Sequence, residues 1–263
     1  MKVGEAIAAS GIDAREARLL LAEVSGFPQA SLAASPEREI PFDVENAFLE
    51  LAGRRSRGEP IAYLLGRKEF YGLELAVNPS VLIPRPETEL LVDLALERRP
   101  ASMLDLGTGS GAIGIAVKFN RPETRVVAVD SDLSALLTAK RNAARLNLDI
   151  DFRHGRWFGP LAGERFELIV ANPPYVASGD PHLAELRFEP QAALTAGREG
   201  LDSIREIVSA AGAFLLPGAW LLLEHGLGQD QAVRNLIAGA GFGSVTTWPD
   251  LSGIARVSGG KLE

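Results

Sequence analysis

The segment MLDLGTGSGAIG, Met103–Gly114, constrains the fold more than any other part of the chain. A short apolar run turns at once into Gly107, Gly109 and Gly111 and then resumes with helical periodicity. A strand that enters a helix through a glycine loop is the opening unit of a doubly wound α/β sheet. After Pro100 the unit repeats. ASMLDLG, TRVVAVD, IDFRHG, FELIVAN, AWLLLEHG and FGSVTTW read as strands, and AIGIAVKF, DLSALLTAKRNAARL, GLDSIREIVSAAGAFL and GQDQAVRNLIAGAG read as helices. GSVTTWP and IARVSG are expected to close the sheet as a hairpin, which makes it mostly parallel with seven strands, one of them antiparallel.

The first 65 residues have a different texture. In DAREARLLLAEVSG, Ala17, Leu20, Leu21 and Val24 recur at helical spacing between an Asp13 cap and a Gly26 stop, and DVENAFLELAGRRSRG repeats the pattern. We therefore expect a helical bundle over 1–65, a hairpin linker around EFYGLELAV over 66–82, and the sheet domain over 83–263. Pro86 suits a first helical position, with Glu87 and Glu89 in the first turn and Leu90, Leu91 and Leu94 on one apolar face.

The glycine loop points to a ligand. Glycines let backbone N–H groups and a helix N-terminus approach a bound molecule closely, and Asp130, at the end of VVAVD, can accept both ribose hydroxyls of an adenosine. Gly109, Gly111 and Gly114 also satisfy the dinucleotide fingerprint G-x-G-x-x-G, so two ligands compete. Asp105 beside the loop would repel a pyrophosphate, whereas the ammonium and sulfonium of S-adenosylmethionine would welcome it. That favours the methyl donor.

The tetrapeptide Asn172-Pro173-Pro174-Tyr175 follows the fourth strand, at the sheet end where ligands bind. An amide or aromatic amine is a poor nucleophile because its lone pair is delocalised. Asn172 Oδ1 and the Pro173 carbonyl can each accept one N–H of a planar –NH2 group, and those bonds strengthen as the nitrogen gains positive charge. The prolines fix φ and offer no competing donor, and Tyr175 can pack on the planar group. Methyl transfer to a planar amino nitrogen is the class this specifies. It leaves glutamine, adenine and guanine open.

Charge bears on that choice. The chain has 27 Lys+Arg against 34 Asp+Glu, a net charge of −7, and residues 1–65 carry 7 basic and 10 acidic side chains, so neither supplies the basic face that nucleic-acid binding needs. Arg54, Arg55 and Arg57 are read as solvating a helix end, and His225 as a hydrogen-bonded structural residue. With no cysteine, and with His154 and His182 lacking ligand spacing, no metal site is expected. The start of the chain lacks the apolar run of a signal peptide, and Ala210–Leu223 is too short and too broken by Gly212, Pro217 and Gly218 for a membrane span. A cytoplasmic protein with no membrane partner is expected.

Several segments together resemble one family, the protein-(glutamine-N5) methyltransferases that modify peptide chain release factors. They are GEPIAYLLGRKEFYGLELAV, VLIPRPETELLVD, LDLGTGSGAIG, VVAVD, IVANPPYV, DPHLAELRFEPQAAL and LLLEHG, and they run from Gly58 nearly to the C-terminus. The resemblance implies a seven-stranded methyltransferase sheet, S-adenosylmethionine as methyl donor, and as substrate the glutamine of a Gly-Gly-Gln loop in a class I release factor. It implies that Gly107, Thr108, Gly109, Ser110, Gly111, Asp130, Trp157 and Asn172 bind the cofactor, that Asn172, Pro173, Pro174 and Tyr175 hold the glutamine, and that Arg85 and Glu87 shape the substrate wall. The 1–65 bundle corresponds to the family's substrate-docking domain. One position departs: Arg156 stands where the family usually has Asp before Trp157, so the adenine amine needs another acceptor here. Two other readings remain, an amino-group methyltransferase acting on adenine N6 or guanine N2, and a non-catalytic ligand-binding adaptor.

Overall fold

The computed structural model describes residues 1–263 and divides the chain into two units, Met1–Arg67 and Lys68–Glu263. The first is all helical: α1 (Val3–Ala9), α2 (Ala14–Ser25), α3 (Gln29–Ala34), α4 (Phe42–Ser56) and α5 (Ile61–Leu65). Asp13 caps α2 by accepting from the Arg15 and Glu16 amides, and Gly26 ends it at φ 70°, as the sequence predicts. Pro28, Pro41 and Pro60 each precede a helix, where a fixed φ helps and the missing N–H costs nothing. Val3, Leu20, Leu21, Leu32 and Phe48 form its buried centre. Arg55 does more than solvate a helix end, because it pairs with Glu16 at 2.7 Å and ties α4 to α2.

In the second unit a hairpin, β1 (Arg67–Phe70) and β2 (Leu73–Ala76), precedes a 3-10 turn at Pro86–Thr88 and α6 (Glu89–Arg98). There follow β3 (Ser102–Leu106), α7 (Ala112–Asn120), β4 (Arg125–Asp130), α8 (Leu133–Arg145), β5 (Asp151–His154), β6 (Phe166–Ala171), α9 (Asp202–Ala211), β7 (Leu215–Glu224), α10 (Asp230–Gly239), β8 (Phe242–Pro249) and β9 (Ala255–Leu262). The seven-stranded sheet has the order β5-β4-β3-β6-β7-β9-β8, and only β9 runs antiparallel to its neighbours. This is the doubly wound, mostly parallel sheet expected, with the closing hairpin in place.

Two local expectations need correcting. The hairpin is not a spacer: Phe70, Leu73 and Leu75 are buried in the same cluster as Leu91, Met103 and Val117, so it belongs to the sheet unit. β7 begins at Leu215 rather than Ala219 and runs through Pro217, which is tolerated because the pairing with β6 is irregular between Phe166 and Leu168. No helix is long and apolar enough to cross a membrane.

One buried amide fastens the hairpin to the glycine loop. Asn142 on α8 is 1% exposed, accepts from the Ala76 amide at 2.7 Å, and donates to the carbonyls of Ala76 at 3.0 Å and Ser110 at 2.9 Å. Asn142→Ala strands three backbone groups away from water, so we predict a loss of about 2–4 kcal/mol in urea unfolding. A change below about 0.5 kcal/mol, the range of an ordinary surface substitution, would contradict this role.

Candidate functional site

The carboxyl ends of β3, β4 and β6 open on a cavity of about 390 Å³, within the usual range for small-molecule sites. Gly107, Thr108, Gly109, Ser110, Asp130, Trp157, Asn172, Pro174 and Arg85 line it, so most of the expected residues are brought together. Gly111, Glu87, Pro173 and Tyr175 do not line it.

The loop is held from both sides. The Gly107 and Thr108 amides donate to the Val129 carbonyl at 2.8 and 3.0 Å, and the Gly109 amide donates to Asp130 Oδ2 at 2.8 Å. Gly107 has φ 70°, and a Cβ there would come within 3.3 Å of the Trp157 ring, so the glycine keeps this end of the cavity open. Gly111 has φ 86° and a packing role: a Cβ would lie 2.7 Å from Ile115 Cδ1.

Asp105 is not a cavity residue. It is fully buried beneath the loop, where Oδ2 accepts from the Thr108 hydroxyl at 2.7 Å and the Gly114 amide at 3.1 Å. Burial pushes its carboxyl up to about 6 against those two hydrogen bonds. Asp105 therefore acts on the ligand from beneath the loop, which it also shapes through Thr108 and Gly114.

Asp130 does face the cavity. Burial raises its pKa, opposed first by the Asp132 and Gly109 amides. Oδ1 accepts from Asp132 N and Oδ2 from Gly109 N, with the Ser131 amide also favouring the carboxylate, and lone pairs remain for a vicinal diol. Trp157 stands against Gly107, with Nε1 donating to Glu206 Oε2 at 2.9 Å. Arg156 pairs with the same carboxylate and lies 5.4 Å from the Trp157 ring centroid. The pair is exposed and adds little stability, but it sets the ring's position. An open glycine cradle, a diol-ready carboxylate and a ring braced at its rim fit an adenosine-bearing cofactor.

At the end of β6, Asn172 Nδ2 donates to Thr88 Oγ1 at 3.1 Å. That bond fixes which end of the carboxamide is engaged and leaves Oδ1 to a ligand. Tyr175 turns away: its hydroxyl donates to Glu224 Oε1 at 3.3 Å, and burial, then the Glu224 charge, raises its pKa. Tyr175 lies outside the cavity lining, its ring beside Gly226. Arg85 pairs with Glu189, which is 5% exposed and also accepts from the Ile83 amide at 3.1 Å, so the segments 82–89 and 187–190 are knit into one wall.

Sequence reasoning did not single out Thr88, Glu189, Glu206 or Glu224. Thr88, Glu189 and Glu224 lie in the segments VLIPRPETELLVD, DPHLAELRFEPQAAL and LLLEHG, but nothing in those segments says that Arg85 meets Glu189 or that Thr88 meets Asn172. His225 is structural as expected: it is buried, its Nε2 is 2.9 Å from Ser258 Oγ, and burial lowers its pKa. No group of three or more potential metal ligands is present.

Comparison with known proteins follows the same division. Residues 86–194 match the Methyltransferase small domain, and residues 5–66 match the PrmC N-terminal domain. The chain is 46% identical to the release factor glutamine methyltransferase of Burkholderia pseudomallei, over 98% of this chain and 95% of that protein. It is 47% identical to the enzyme of the same name from Neisseria gonorrhoeae, over 94% of this chain and 92% of that one. Among solved structures, a methyltransferase from Pyrococcus furiosus shares the fold at a TM-score of 0.59 and 17% identity, covering 80% of this chain and 98% of its own. A Thermus thermophilus 16S rRNA N2 G1207 methyltransferase, solved with AdoMet and guanosine, aligns at a TM-score of 0.57 and 23% identity, covering 75% of this chain and 50% of its own.

Asp130 both orders the loop and faces the cavity. Asp130→Ala is predicted to weaken S-adenosylmethionine binding at least about tenfold, or ~1.4 kcal/mol, in calorimetry. Unchanged affinity would remove Asp130 from the cofactor site.

Proposed function

This chain belongs to the release factor glutamine methyltransferase family, and on that premise we propose that it transfers a methyl group from S-adenosylmethionine to the side-chain amide nitrogen of the glutamine in the Gly-Gly-Gln loop of class I release factors. The observation that carries this reading is the Asn172 carboxamide, tied by Nδ2 to Thr88 at the rim of the cavity that also holds the glycine loop and Asp130.

S-adenosylmethionine, when bound, supplies the electrophilic methyl group. Gly107–Ser110, Asp130 and Trp157 would hold it, with Glu206 and Arg156 bracing the tryptophan. The glutamine –NH2 donates to Asn172 Oδ1 and to the Pro173 carbonyl. Both acceptors gain strength as the nitrogen rehybridises and becomes partly cationic, so they stabilise the transition state more than the ground state. Pro173, buried, and Pro174 fix the turn before substrate arrives. The proton released after transfer is acidic enough to leave to water, so no strong base is required. Tyr175 contributes through Glu224 rather than by stacking on the amide. Arg85, held by Glu189, forms the substrate wall.

The bundle at the N-terminus docks the release factor, and the acidic balance of the chain favours this protein partner over nucleic acid. The enzyme works in the cytoplasm, where release factors act, without a membrane partner.

Incubation with methyl-labelled S-adenosylmethionine and an unmodified release factor is expected to place one methyl on the Gly-Gly-Gln glutamine, read by mass spectrometry. An unlabelled glutamine would refute the assignment. Asn172→Ala is predicted to lower kcat about a hundredfold or more while cofactor affinity stays within about twofold. Loss of both in proportion would make Asn172 a structural residue.

A further inference from the structure

Glu224, the last residue of β7, is buried at 1% exposure although it lines no part of the cavity. Its Oε1 accepts from the Tyr175 hydroxyl at 3.3 Å, while Oε2 is buried without a hydrogen-bond partner. The Thr88 hydroxyl, itself buried, lies near enough to favour the charged carboxylate, and its oxygen accepts from Asn172 Nδ2 at 3.1 Å. The carboxylate thus holds the Tyr175 hydroxyl by a hydrogen bond, keeps Oε2 free, and stands beside the Thr88 hydroxyl that carries the Asn172 amide.

We propose that Glu224 is a positioning residue: by drawing the Thr88 proton toward itself, it leaves the Thr88 oxygen as an acceptor for Asn172 Nδ2 and so presents Asn172 Oδ1 to the substrate amide. This rests on the reading of Asn172 as an amide acceptor. The physical reason is that a carboxamide has two nearly isosteric ends, and only a fixed acceptor behind its –NH2 decides which end faces the ligand. Ionised Glu224 can only accept, so both hydroxyls point to it. Protonated, it becomes a donor, competes for the Thr88 oxygen and lets the amide turn.

The surroundings set where that change falls. Burial raises the Glu224 pKa to about 7; Thr88, Tyr175 and Arg256 on β9 oppose the rise, and Glu87 in the turn before α6 adds to it. Arg85 acts on the neighbouring Tyr175 in the direction opposite to the Glu224 charge. Deprotonation therefore favours the productive amide, and kcat should rise with pH through about 7.

Three variants test the relay. Thr88→Val is expected to lower kcat about tenfold to a hundredfold, with S-adenosylmethionine affinity within about twofold. Thr88→Ser, which restores the hydroxyl, should recover most of that loss. Glu224→Gln should remove the ionisation near 7 from the kcat profile. A readout independent of turnover separates this proposal from the function it rests on: in 15N-labelled protein, the Asn172 side-chain –NH2 resonances, assigned with Asn172→Asp, should titrate near pH 7 in the wild type and not in Glu224→Gln. Wild-type kcat in Thr88→Val, persistence of the ionisation in Glu224→Gln, or Asn172 resonances that do not respond to pH would each overturn it. If the resonances titrate but no release factor is methylated, the relay stands and the substrate assignment fails.

Discussion

The parallel sheet imposes one constraint on which everything else depends. Its central strands are covered on both faces and must be apolar along their length, so polar chemistry is confined to their ends. β4 closes on Asp130, β6 runs into Asn172, and β7 closes on Glu224, all at the carboxyl edge because these strands run in the same direction. The glycine loop after β3 completes that edge. A ligand at this edge faces Asp130, Asn172 and the glycine loop at once, with Glu224 buried behind them, which is why residues far apart in sequence form one site.

Two kinds of polar residue occupy that edge. Asp130 and Asn172 each spend part of their hydrogen-bonding capacity on the protein and keep the rest for a ligand: Asp130 on the Gly109 and Asp132 amides, Asn172 on Thr88. Asp105 and Glu224 spend theirs inward and line no part of the cavity. Their burial is costly, with carboxyls pushed up to about 6 and about 7, and that cost is tolerated where the group fixes the geometry of a neighbour that does face the ligand.

What the sequence made legible follows from this division. Repeating strand and helix patterns, the spaced glycines, Asp130 at a strand end and the Asn-Pro-Pro-Tyr turn are local signals, and the sheet order and cavity lining agree with them. The braces are not local. Asn172 meets Thr88 across 84 residues, Arg85 meets Glu189 across 104, and Arg156 meets Glu206 across 50. No periodicity or spacing connects such pairs. The surroundings of Tyr175 and Asp105 were hidden for a related reason: both stand beside a motif, and the fold turns their side chains toward partners that the motif does not name. The hairpin looked like a linker because it sits between two textures, yet its alternating Phe70, Leu73 and Leu75 needed a core to cover them.

The central claim is that an oriented Asn172 carboxamide, together with the Pro173 carbonyl, receives the glutamine amide. A crystal structure of the protein with S-adenosylhomocysteine and a Gly-Gly-Gln peptide tests it most directly. The account predicts the glutamine nitrogen within hydrogen-bond reach, ~3 Å, of both Asn172 Oδ1 and the Pro173 oxygen, with Nδ2 still on Thr88. A glutamine bound elsewhere in the cavity, or an Asn172 amide turned with Nδ2 toward the peptide, would contradict it.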